Sequence, residues 1–282
     1  MSRSLAVTLQ YLLPKQALTA LMGSLARRRA GALTTAAIRA FVQRYRVNMD
    51  EAADPDIASY ASFNDFFTRP LRPGARPLAV ADLVCPVDGA ISQIGPIEGD
   101  QIFQAKGHHY TTTALVGGDA TLAAQFQDGS FATIYLSPRD YHRIHMPCAG
   151  RLTRMIHVPG ELFSVNPDTA RGVPGLFARN ERVVCVFDTA HGPFVLVLVG
   201  ATIVGSMATV WHGVVNPPRP GRLREWTYAD KPVQLAQGEE MGRFLLGSTV
   251  VMLWPQRLRF NPRWQAEIAV RLGEGMAGYE AD

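Results

Sequence analysis

The stretch VVCVFDTAHGPFVLVLVGATIVGSMATVW, residues 183–211, decides the architecture. No Asp, Glu, Lys or Arg occurs from Gly192 to Pro218, so hydropathy alone reads the segment as a membrane span. Its residue types argue for buried strands instead. Val195, Val197, Val199, Ile203, Val204 and Val210 are β-branched, Gly200 and Gly205 interrupt a helix, and Gly192-Pro193 supplies a turn after the run 183–188. Outward from there, similar short apolar runs separated by Gly, Pro and Asp predict further strands at 90–94, 132–136, 150–157, 194–201, 205–215 and 249–254. Long helices do not alternate with these runs and no GxGxxG or Walker pattern occurs, which argues against a doubly wound nucleotide fold. The expectation is an α+β protein, mainly β, with packed antiparallel-rich sheets as its body.

The N-terminal end differs in kind. Residues 1–49 hold eight Lys/Arg and no acid, whereas the 282-residue chain as a whole is only +4. Interleaved with Leu5, Leu9, Leu12, Leu13, Leu18, Leu21 and Leu25, these cations predict amphipathic helices suited to an anionic bilayer surface rather than to nucleic acid. A plain solvated helical face is the ordinary alternative. An Arg-rich, acid-free stretch also has the composition of a transit peptide, while the apolar run ending at Pro14-Lys15 lacks a secretory cleavage site. Asp54-Pro55 breaks the helical region, Ser62 is placed to cap a short helix, and Pro70, Pro73 and Pro77 mark 68–77 as a linker. The division predicted is a helical membrane-associating region, 1–67, and a β-rich catalytic domain, 68–282. Cys85, Cys148 and Cys185 are odd in number and widely spaced, so they form neither a disulfide framework nor a CxxC motif and suit a reducing compartment.

Chemistry concentrates in three segments. His142 and His145 stand with two residues between them in YLSPRDYHRIHMPC, and Cys148 lies three residues further on. Zinc is one reading, but no fourth ligand has matching spacing; two ordinary satisfied histidines are the plainer one. Asp88 lies in CPVDGAI, where Asp-Gly is normally a turn. In GRFLLGSTVVMLW, Gly247 leaves its carbonyl open to close approach and Ser248 follows directly. A serine hydroxyl needs a base and the base an orienting group, roles that Ser248, His145 and Asp88 fill if the fold brings them together.

Taken in order, SFNDFFTR (62–69), PVDG (86–89), QAKGH (104–108), 135–147, LFARNER (176–182), 199–206 and 242–249 resemble bacterial-type phosphatidylserine decarboxylases. The resemblance implies a proenzyme that cuts itself between Gly247 and Ser248 into a β chain (1–247) and an α chain (248–282), with His145, held by Asp88, taking the Ser248 proton. It implies a pyruvoyl cofactor derived from Ser248, which forms a Schiff base with phosphatidylserine and serves as electron sink as CO2 leaves, giving phosphatidylethanolamine. It assigns His142 to decarboxylation, requires no metal, and suggests a homodimer attached peripherally to the cytoplasmic face of the cell membrane. A pyruvoyl decarboxylase of a soluble amino acid, a metal hydrolase using His142, His145 and Cys148, and a non-catalytic membrane-binding module are the competing readings.

Overall fold

A computed structural model describes the chain except for residues 1–7, Leu9, Leu12, 203–205, Pro218, Pro220, 246–248 and 281–282. Its centre is a nine-stranded antiparallel sheet. The order runs Arg224–Thr227, Gly150–Val158, Arg182–Thr189, Gly192–Val199, Thr249–Trp254, Ser130–Tyr135, Gly89–Pro96 and Ala269–Val270, with Val233–Leu235 also pairing to Gly150–Val158. Each predicted strand run except 205–215 falls in this sheet. Within 205–215, Met207–Thr209 and Gly213–Val214 form a small hairpin, and Gly205 lies outside the described residues.

The uninterrupted apolar runs follow from burial on both faces. In Thr249–Trp254, Val250, Met252 and Trp254 enter one core with Leu196, Leu198 and Ile134. Val251 and Leu253 enter the other with Val195, Val197 and Phe131. A strand covered on both sides has no polar face to alternate with, so it imitates a membrane segment. No helix among the described residues is long and apolar enough to cross a membrane.

The first core is closed by two smaller sheets: Gly213–Val214, Met207–Thr209, Glu240–Phe244 and Arg143–His145 in that order, and Leu83–Val84, Gly275–Tyr279 and Leu258–Phe260. The second is closed by the hairpin Gln101–Ala105 with His108–Thr111 and by short helices, among them Thr112–Leu115, Pro167–Gly172 and Leu176–Arg179.

At the N-terminal end the helices Lys15–Ala26 and Ala32–Tyr45 precede Phe63–Phe67, which is capped as expected: the Asp65 N–H donates to Ser62 Oγ at 3.1 Å. Ile38, Val47, Phe66 and Phe67 form a third, small core. Lys15 does not join the exposed cations. It is buried against the body, 3.2 Å from Glu161 and over the Phe163 ring. Leu21, Leu25 and Leu33 are exposed, as are Arg27, Arg28 and Arg29. The proline-rich segment 68–77 is tied down rather than free: Pro70 O accepts from Ala53 N, Glu51 O from Arg72 N, and Thr68 O from Arg143 Nε.

Candidate active site

A cavity of about 700 Å³ opens between the N-terminal core and the large sheet, with Arg69, Arg76, Asp88, Tyr135, Asp140 and Tyr141 in its wall. Tyr135 stands opposite Thr249 in the sheet register. Gly247 and Ser248 themselves lie outside the described residues. The chain on either side is fixed: Phe244 N donates to His142 O, Leu245 N to Ser206 O, and Thr249 pairs with Tyr135 and Val199. The described flanks of 246–248 therefore begin beside His142 and end beside the cavity wall.

Both imidazoles are held by backbone carbonyls. His142 is fully buried, its Nδ1 2.7 Å from Asp140 O. His145 has Nδ1 2.8 Å from Gly238 O, and Gly238 adopts a positive φ of 82°. A carbonyl only accepts, so each ring must carry its proton on Nδ1 and its lone pair on Nε2. At His145 that lone pair takes a hydrogen bond from Tyr141 O–H at 3.1 Å. At His142 the buried Nε2 has no partner. Burial lowers the pKa of His142 to about 3, the Asp140 carbonyl and Arg69 being lesser influences. His145 is lowered too, chiefly by burial, against the opposing pulls of the Gly238 carbonyl, Glu240 and Asp88. Both rings are neutral at pH 7 and present an unprotonated Nε2.

Asp88 and His145 are neighbours along the backbone, since His145 N donates to Pro86 O at 2.9 Å. The direct hydrogen bond between their side chains, expected for a triad, is not present. Arg76 takes the carboxylate instead, with Nε 2.9 Å from Oδ1 and Nη2 2.5 Å from Oδ2, and Leu272 N also donates to Oδ1. The guanidinium fork satisfies both oxygens, and the Gly238 carbonyl already holds the ring atom that Asp88 would bind. Gly89 begins a strand rather than completing a turn; a Cβ there would stand 2.4 Å from Tyr135 O, so only glycine lets the Asp88 segment approach the sheet.

Among the described residues no cluster of three or more His, Cys, Asp or Glu is disposed to hold an ion. Burial raises the Cys148 thiol to about 12.

Sequence reading passed over Arg76, Asp140, Tyr141 and Gly238. Asp140 had a local signal, three residues after Ser137: its Oδ2 accepts from Ser137 N and Oγ at 2.6 and 2.7 Å, which closes the loop that aims its carbonyl at His142. Burial raises the Asp140 carboxyl above the usual range, the two Ser137 hydrogen bonds opposing it.

The family model for phosphatidylserine decarboxylase matches residues 63–278, and a second model, described as PSD, matches 5–46. The chain belongs to the phosphatidylserine decarboxylase family. It is 76% identical over 280 residues to the phosphatidylserine decarboxylase proenzyme of Delftia acidovorans, covering 99% of both chains. It is also 76% identical to the proteins of that name from Azoarcus sp. (98% of this chain, 96% of the relative) and Methylibium petroleiphilum (98% of both). Family membership thus reaches into the N-terminal helices, which lie before the first segment, 62–69, that carried the resemblance in the sequence.

Proposed function

We infer that this chain decarboxylates phosphatidylserine to phosphatidylethanolamine and is made as a proenzyme that cuts itself. Membership of the phosphatidylserine decarboxylase family over nearly its whole length carries this reading. Cleavage falls between Gly247 and Ser248. His145 Nε2, unprotonated at neutral pH, accepts the Ser248 proton once Tyr141 gives way, and the hydroxyl attacks the Gly247 carbonyl to exchange the peptide bond for an ester. Elimination expels the Gly247 carboxylate, and hydrolysis of the resulting enamine releases ammonia and leaves a pyruvoyl group at residue 248. Asp88 acts at a distance: its charge favours the imidazolium that forms on His145, while Arg76 holds it in place.

The surroundings suit such a group. The described neighbour, Thr249, opens a fully buried strand opposite a cavity residue, and His142 keeps an unpartnered buried Nε2. A pyruvoyl carbonyl supplies an electrophile for the substrate's amine and a sink for the electron pair left as CO2 departs. Uncharged His142 presents its unpartnered Nε2 as a hydrogen-bond acceptor for the substrate's amine, and its pocket excludes water. After cleavage the chains 1–247 and 248–282 stay together, because Thr249–Trp254 is hydrogen-bonded on both edges inside the central sheet.

The assembly we propose is a homodimer, on family resemblance, bound peripherally at the cytoplasmic face of the cell membrane. Exposed Leu21, Leu25 and Leu33 beside Arg27–Arg29 give residues 1–67 the lipid-facing surface. The test is conversion of phosphatidylserine in vesicles by the purified protein, with Ser248→Ala and His142→Ala alongside. Wild type should form phosphatidylethanolamine, Ser248→Ala should neither cut nor decarboxylate, and His142→Ala should cut without decarboxylating. No product from cleaved wild type overturns the function; equal loss of both activities in His142→Ala overturns the division of roles.

A further inference from the structure

The cavity wall carries seven Lys/Arg against four Asp/Glu. Several of those cations are already neutralised. Arg76 pairs with Asp88 and Glu51, Arg171 with Asp168 and Glu267, and Arg271 with Glu51. Arg69 is different. It is only 4% exposed, and among the described residues its guanidinium has no ion pair and its buried Nε no hydrogen-bond partner. It lies over the Phe66 ring, 5.2 Å from the centroid, which fixes one face of the group. Burial lowers its pKa, the nearby Tyr60, Asp88 and Glu51 being too weak or too committed elsewhere to compensate. A buried cation without a counter-ion is costly for folding, and one held rigidly in a cavity wall is organised in advance for an anion.

We propose that Arg69 binds the phosphodiester of the lipid headgroup, an inference that rests on the decarboxylase reading above. The headgroup offers two anions, and the chemistry separates them. The carboxylate loses its charge as CO2 departs, so a guanidinium on it would stabilise the ground state more than the transition state and slow the reaction. The phosphodiester keeps its charge from substrate to product, and its oxygens match the guanidinium fork. The position agrees with this division of labour. Arg69 lies two residues beyond Phe67, whose ring packs against His142 with centroids 4.1 Å apart, so one chain segment supplies both the anion grip and a wall of the imidazole pocket.

The test uses the self-cleaved enzyme with Arg69→Met and Arg69→Lys. Cleavage is read by intact mass, kcat and KM on phosphatidylserine in mixed micelles, and Ki for phosphatidylethanolamine, which keeps the phosphodiester but has no carboxylate. Arg69→Met should cut normally and raise KM about 10- to 100-fold with little change in kcat, the range expected for losing hydrogen bonds to a charged group. The Ki for phosphatidylethanolamine should rise by the same factor, Arg69→Lys should fall between, and the Tm of Arg69→Met should not drop, because the charge it removes has no partner to strand. A raised KM with unchanged product Ki would assign Arg69 to the carboxylate and overturn the proposal. So would unchanged lipid constants, whether accompanied by a lower Tm, as for a structural residue, or by weakened inhibition by inorganic phosphate alone, as for a free-anion site. Failure of cleaved wild type to convert phosphatidylserine would overturn the parent reading instead.

Discussion

Replacing Arg76 tests what Asp88 is held by. Arg76 donates to Asp88 at 2.9 and 2.5 Å and to Glu51 at 2.6 Å, with side-chain exposures of 7% for Arg76, 10% for Asp88 and 21% for Glu51. Removing one member of a buried pair costs about 3–5 kcal/mol, since the remaining charge is stranded. Water reaches Glu51 in part, so Arg76→Ala should sit near about 3 kcal/mol, a Tm drop of roughly 6–12 °C for a chain this long. Asp88→Asn alone leaves Arg76 its bond to Glu51 and should cost less, about 2 kcal/mol. The double variant should then lose little beyond Arg76→Ala, giving a coupling of about 2 kcal/mol. Urea denaturation in a Ser248→Ala background keeps every variant as one uncut chain, so the cycle compares like with like. Additive effects within about 0.5 kcal/mol would refute the pairing. A Ser248-intact Asp88→Asn protein that fails to cut while Arg76→Ala cuts normally would restore a direct Asp88–His145 contact.

Three further outcomes are expected. His142 is lowered from 6.5 to about 3 by burial, so below pH 6.5 the unfolded chain binds a proton that the folded chain refuses, and stability falls as pH drops. Between pH 6.5 and 5 wild type should lose about 2 kcal/mol more than His142→Gln in urea titrations, and parallel losses would contradict this. Gly89→Ala places a methyl 2.4 Å from Tyr135 O and 2.9 Å from Ile134 Cγ2, which should cost about 3 kcal/mol by thermal melting and impair cutting; a neutral substitution would show that the strands part freely. Changing Arg27, Arg28 and Arg29 together to Glu should abolish flotation with anionic vesicles at low salt, and retained binding would assign attachment to the leucines alone.

The sheet was legible because its strands are long and apolar on both faces, as in Thr249–Trp254 and Gly192–Val199, and the Ser62 cap because its chemistry is local. The smaller sheets were not, since Leu83–Val84 and Arg143–His145 are too short to show a period. Residue type singled out His142, His145 and Asp88 and likeness to a family gave them roles, but neither could reveal that two backbone carbonyls set the tautomers, because any residue can present a carbonyl. Arg76 was hidden in a proline-rich run that reads as a linker, and its partner Asp88 lies 12 residues away on a different segment. Lys15 counted among surface cations by composition, yet tertiary packing turns it onto Phe163 and Glu161.

Intact mass spectrometry of the purified protein beside Ser248→Ala tests the central claim most directly. The account predicts two chains from wild type, residues 1–247 and residues 248–282 with a pyruvoyl group blocking the smaller, and one uncut chain from Ser248→Ala. An uncut wild-type chain that still converts phosphatidylserine, or cleavage at another bond that survives Ser248→Ala, would contradict it.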